Sequence, residues 1–132
     1  MDGGNRHQEV VLRASRRAQE VILAYCTTLI DVVEAVSKMQ AGSRAYAREK
    51  FIKVQESLTK LEKDIFGLES AKNVYDVEIN VNPLREAITS ITEGTANLEE
   101  LCDSLRNEAN HLTQAVRSEN ARRSMYLINQ KL

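Results

Sequence analysis

The sequence predicts an all-α chain, an elongated helical coiled-coil rod or a helical hairpin with a short extended connector. Three observations lead there. From Leu84 to Val116, residues recur at alternating steps of four and three: Leu84, Ile88, Ile91, Thr95, Leu98, Cys102, Leu105, Ala109, Leu112 and Val116, of which only Thr95 is polar. Steps of four and three average half a heptad, the period that keeps one stripe of a helix facing another helix. Aromatic residues are only 5% of the chain and Trp is absent, whereas 28% are charged, a balance that suits long helices with solvated outer faces. One Pro and five Gly among 132 residues leave few places for such helices to break.

Taken in order, residues 1–6 are polar, contain Gly3 and Gly4, and read as a disordered start. A helical region follows over 7–70. Its first stripe runs through Val11, Ala14, Ala18, Ile22, Tyr25, Leu29, Val32, Val36 and Met39, and Val21, Ile30 and Val33 widen it enough to touch more than one neighbour. Gln40, Ala41, Gly42 and Ser43 interrupt the pattern, and a Gly inside a helix costs about 1 kcal/mol relative to Ala. The stripe resumes one residue out of frame at Ala47, Phe51, Val54, Leu58, Leu61, Ile65 and Leu68, so a break is expected near 40–43, with Ser43 as the cap of the next helix.

Residues 71–82 form the extended connector. Tyr75, Val77, Ile79 and Val81 alternate with Asp76, Glu78 and Asn80, a step of two that pins apolar side chains against helices without a partner strand. Asn82 and Pro83 then open a last helix over 83–129, with Asn82 as the cap and Pro83 in the first turn, where its missing N–H has no partner to lose. An unbroken helix of that length spans about 70 Å at 1.5 Å per residue.

Several classes are excluded on composition and motif. Eighteen basic against 19 acidic residues give a net charge of −1, without the basic excess that nucleic-acid binding draws on. No window resembles a membrane span, and the first residues lack the plan of a signal peptide. His7 and His111 are far apart and read as solvated histidines. No metal spacing, phosphate loop or nucleophile motif is present, so the expectation is a non-enzymatic protein with no cofactor and no metal. Cys26 and Cys102 sit on apolar stripes and read as reduced, buried thiols. Glu99, Glu100 and Asp103 form a small acidic patch, and Arg13, Arg16 and Arg17 a basic one, both read as solvated faces.

The C-terminal third resembles the snapin family of small coiled-coil proteins. The resemblance rests on VEINVNPL, an acidic-apolar stretch ending in the helix-opening proline, and on LTQAVRSENARR, where Leu112, Val116, Glu119, Ala121, Arg122 and Arg123 match. The interval from Pro83 to Val116 matches without gaps, and the likeness covers about the last fifty residues. Between them this chain reads ITSITEGTANLEE where snapin-like chains are rich in Arg, a departure on the faces that select partners. The resemblance implies a subunit of a hetero-oligomeric assembly, the lysosome-related organelle biogenesis complex or its relative BORC. It also implies SNARE proteins among the partners and a cytoplasmic location, peripheral to lysosomes or endosomes through those partners.

Helix pairing with other small helical subunits is therefore the expected mechanism. The main interface is expected at Leu84, Ile88, Ile91, Leu98, Cys102, Leu105, Leu112 and Val116, and a second at Ile22, Leu29, Val32, Phe51, Leu58, Leu61 and Ile65. A fold-back of the two halves buries part of these stripes; Val21, Cys26, Ile30, Val33 and Ile52 add apolar surface that one hairpin does not cover. A homo-oligomeric coiled coil and a cytoskeletal or kinetochore tether are the alternative readings.

Overall fold

A computed structural model describes residues 2–68, 75 and 77–131, with side chains over 16–68, 75 and 77–125. It is all-α. The helices are α1 (Asp2–Gln40), α2 (Arg44–Phe66), α3 (Asn82–Glu93) and α4 (Leu98–Lys131). α1 thus begins ahead of the His7 start expected, in place of a disordered 1–6. Positions 69–74 and 76, which include the end of the expected 7–70 region and part of the connector, lie outside the described residues.

α1 is the spine. Its buried residues include Ala18, Val21, Ile22, Tyr25, Leu29, Val32, Val33 and Val36, a set too wide for one stripe. The widening expected from Val21 and Val33 is therefore real, whereas Ile30 is left 44% exposed. Such an arc needs two neighbours, and α2 and α4 supply them. The side-chain pairs fix the directions. Arg17 meets Asp64 at 3.0 Å and Tyr46 meets Glu34 at 2.9 Å, so α2 runs antiparallel to α1. Asn120 donates to the Gln19 side-chain oxygen at 3.0 Å, and Cys26 lies against Ala109 and Thr113, so α4 is antiparallel as well. α3 pairs Arg85 with Glu62 at 2.9 Å and carries Ile88 and Ile91 toward Phe51, which sets it antiparallel to α2. The chain goes up, down, up and down, with short α3 as the third leg.

The α1–α2 and α3–α4 reversals are glycine turns of one kind. Gly42 (φ 95°) donates to the Met39 carbonyl and Ser43 N–H to that of Lys38. Gly94 (φ 74°) donates to the Ile91 carbonyl and Thr95 N–H to that of Ser90. Each turn satisfies carbonyls the helix end leaves open, with Gly in the left-handed position that L residues avoid. The break at 40–43 is thus as expected, although the Ser43 side chain makes no cap bond. The break at Gly94 corrects the expected single helix over 83–129. Asn97 restarts the chain, its Oδ1 accepting the Glu100 N–H at 3.2 Å.

The connector lies along the bundle without forming a strand among the described residues. Tyr75 and Val81 are buried and Val77 and Ile79 half-buried, while Glu78 and Asn80 face out, the alternation expected of an extended segment pinned to helices. Tyr25 O–H donates to the Asn80 carbonyl at 3.2 Å, and the Arg123 guanidinium lies 5.7 Å from the centre of the Tyr75 ring. α3 opens one residue earlier than expected: Val81 is its cap, and the Asn80 side chain, not that of Asn82, takes the free Asn82 N–H at 3.0 Å.

Unfolding measurements probe two of these features. No atom crowds a Cβ built on Gly94, so Gly94→Ala pays for backbone conformation alone, about 1 kcal/mol in urea unfolding. Burial, with smaller effects from Glu108 and Cys26, pushes the Tyr25 hydroxyl from 10.0 up to about 12. The folded chain then holds a proton that the unfolded chain releases between those values, so Tyr25's contribution is whole below pH 10 and fades as pH rises to about 12. Thermal unfolding across that window falls with pH in the native chain, and Tyr25→Phe flattens the fall.

Candidate protein-docking site

The residues expected to pair with other proteins meet mostly one another. Ile22, Leu29, Val32, Leu58, Leu61, Leu84, Ile88, Ile91, Cys102, Leu105, Leu112 and Val116 are all buried within the single chain. The seam is real, but its knobs from Cys102 to Val116 pack on α1 of the same molecule rather than standing open for a partner. The physical reason is the break at Gly94, which lets α4 fold back onto α1 and α3 turn toward α2 instead of the two running on as a rod. Val21, Cys26 and Val33, expected as surplus surface, are buried too, while Ile52 stays 55% exposed. Phe51, Ile65 and Leu98 are the expected interface residues left half-buried.

Phe51 and Leu98 mark where the bundle fails to close. Between α2 and α3, at the end of the molecule holding both glycine turns, lies an open cleft of about 820 Å³. Its apolar lining includes Ala47, Phe51 and Ile52 on α2, Ile88 and Ile91 on α3, and Leu98 at the start of α4, with Met39 and Ala96 at the turn end. Leu84 falls on the same face of α3 but does not line it. Short α3 touches α2 sparsely, and the gap between them is the cleft. Sequence periodicity had no means of finding it, because a stripe names the residues on a face and not how closely the opposite face approaches.

Charge around the cleft is unevenly used. On the outer side of α2, Tyr46 lies between Lys38 and Lys50, with nitrogens 6.0 and 5.9 Å from its ring centre, and donates its O–H to Glu34. Lys50 also reaches Glu34 at 3.4 Å and Asp31 at 3.5 Å. The Tyr46 hydrogen bond first, and Lys50 after it, hold the Glu34 carboxyl below its ordinary range. On the cleft side, Arg44 and Arg48 are exposed and have no acidic partner among the described residues, and no acidic side chain lines the cleft.

The acidic patch at Glu99, Glu100 and Asp103 is exposed on α4, where Asp103 pairs with Arg106 at 3.5 Å. Of the basic patch, Arg16 and Arg17 are exposed, and the side chain of Arg13 lies outside the described residues. Cys26 and Cys102 are free and buried, and burial is the main cause that pushes both thiols up. Among the described residues no group of three His, Cys, Asp or Glu side chains converges, and no helix is long and apolar enough to cross a membrane.

Placing a charge inside the seam separates the two roles a seam can have. Leu105 is 8% exposed against α1, so Leu105→Asp buries an unpaired carboxylate and lowers the unfolding free energy of the isolated chain by about 3 kcal/mol or more. Circular dichroism during urea titration reads that loss with no partner present; an unchanged midpoint would mean that the seam serves another molecule. Comparison with protein-family models, with curated proteins and with solved structures gives no match to this chain.

Proposed function

We propose that this chain is a non-enzymatic helical subunit that holds other small helical proteins within a hetero-oligomeric complex. The observation that carries the reading is the apolar surface left after the seam has closed. Ile52 is 55% exposed on α2, on the rim of a cleft whose floor is apolar. An open groove with an apolar floor is the kind of surface into which a partner helix lays its apolar face. Pairing through the Leu84 to Val116 seam, the mechanism the periodicity favours, gives way to pairing at the cleft, because the seam is used up internally.

The biological setting rests on the likeness of VEINVNPL and LTQAVRSENARR to snapin-like chains. It supports a role in lysosome or endosome biogenesis and positioning, or in SNARE-linked vesicle traffic, on the cytoplasmic side and peripheral to those membranes. The Arg-poor stretch around Gly94 argues for a sibling subunit with partners of its own.

Affinity purification of the tagged chain from its native cells, read by quantitative mass spectrometry, tests the reading. Several short helical proteins in fixed ratio, together with lysosomal or endosomal membranes, are the expected result. Recovery of the chain alone, monomeric by light scattering, overturns the subunit role. Recovery as a defined homo-oligomer replaces it with the self-assembling alternative.

A further inference from the structure

We propose that the cleft between α2 and α3 receives one short amphipathic helix of a partner protein, carrying acidic side chains along the edge that faces Arg44 and Arg48. The proposal rests on the helix-pairing function above and gives it a site and a chemistry. Three features lead to this occupant.

The first is shape. Along α2 the lining extends from Arg44 to Gln55, three turns of helix and about 17 Å. An incoming helix of about a dozen residues matches that length. A cleft of about 820 Å³, open along one side, accepts a row of apolar side chains without displacing either wall.

The second is the floor. Ala47, Ile88 and Ile91 are buried, and half-buried Phe51 and Leu98 flank them, so the base offers apolar contact and asks for apolar side chains at helical spacing. Ile52 stands on the rim at 55% exposure, placed to close over the occupant.

The third is charge, and it selects the occupant. Arg44 and Arg48 stand one turn apart on α2, at i and i+4, so they are neighbours on one face of the helix. Lys50 is engaged with Asp31 and Glu34, and Lys38 lies over the Tyr46 ring on the far side of α2, so the cations that line the cleft are Arg44 and Arg48, and neither has a carboxylate partner among the described residues. The lining holds no acid to repel an acidic guest. Arginine forks bind carboxylates in two-point fashion, which fixes the register of the guest as well as its sign.

A display library of short helical peptides, sorted on the folded full-length chain, tests the site without knowledge of the native partner. The expected winners carry apolar residues at i, i+3, i+4 and i+7 and acids on one flank. Ile52→Asp, at an exposed position that leaves the core alone, weakens the best of them by about tenfold or more. Arg44→Glu combined with Arg48→Glu inverts the preference toward basic peptides. Circular dichroism and the urea midpoint of both variants verify that they fold as the native chain does.

The proposal falls if winners show no acidic bias, if Ile52→Asp leaves their binding intact, or if nothing is enriched. It falls too if the chain dimerises through this face, seen as a dimer in light scattering that Ile52→Asp converts to monomer. Because the library uses the isolated chain, its failure is separate from failure of the subunit reading. A co-purifying complex unmoved by both variants keeps the subunit role and removes the cleft from it.

Discussion

Everything in this molecule is arranged around the breadth of apolar surface on α1. A helix that buries Ala18 and Val21 as well as Tyr25, Cys26 and Val33 has to be covered from two sides. Each large side chain taken out of water contributes about 1.5–3 kcal/mol, so the arc is strong enough to draw both α2 and α4 onto it. The two flanking helices then lie parallel to one another, with the connector held against α1 at Tyr25 and α3 tied to α2 through Arg85 and Glu62. Polar groups inside obey the same order: Thr28 donates back to the Ala24 carbonyl at 2.9 Å, and no buried side-chain nitrogen or oxygen among the described residues lacks a partner.

That demand also decides what the heptad seam is for. A narrow apolar stripe looks alike in sequence whether it faces a second protein or a distant part of its own chain. The wide stripe on α1 is the discriminating feature, because a helix needing two neighbours recruits the nearest ones, and those are covalently attached. Single apolar side chains stay exposed elsewhere, Phe66 and Met125 among them, but an apolar groove opens where the bundle is least well matched. Short α3 sets the limit of coverage there, and the cleft beside α2 is the result.

Fold class and the first reversal were legible residue by residue. The frame shift between Met39 and Ala47 announced the turn at Gly42, and the two-residue step from Tyr75 to Val81 announced a pinned connector. The reversal at Gly94 was hidden by a coincidence of spacing: Ile91, Thr95 and Leu98 keep the four-and-three rhythm straight through a turn that is not helical. The local chemistry was there to be read, with Gly94 at the end of α3 and Asn97 capping α4, but periodicity outvoted it. The candidate site was half legible. Phe51, Ile88, Ile91 and Leu98 were expected to face a partner helix and do line the cleft, yet nothing in one dimension tells which apolar residues are left over once packing is complete.

The amide pair between Gln19 and Asn120 has a consequence for assembly of the bundle itself. Stripes of interchangeable aliphatic side chains are nearly indifferent to a shift of one heptad, and α1 and α4 both carry such stripes. Displacing α4 along α1 by that distance would part the two amides and set each against hydrocarbon or water, breaking their 3.0 Å bond. One polar contact thus works as an index mark, rejecting misaligned bundles that the greasy surfaces alone would accept.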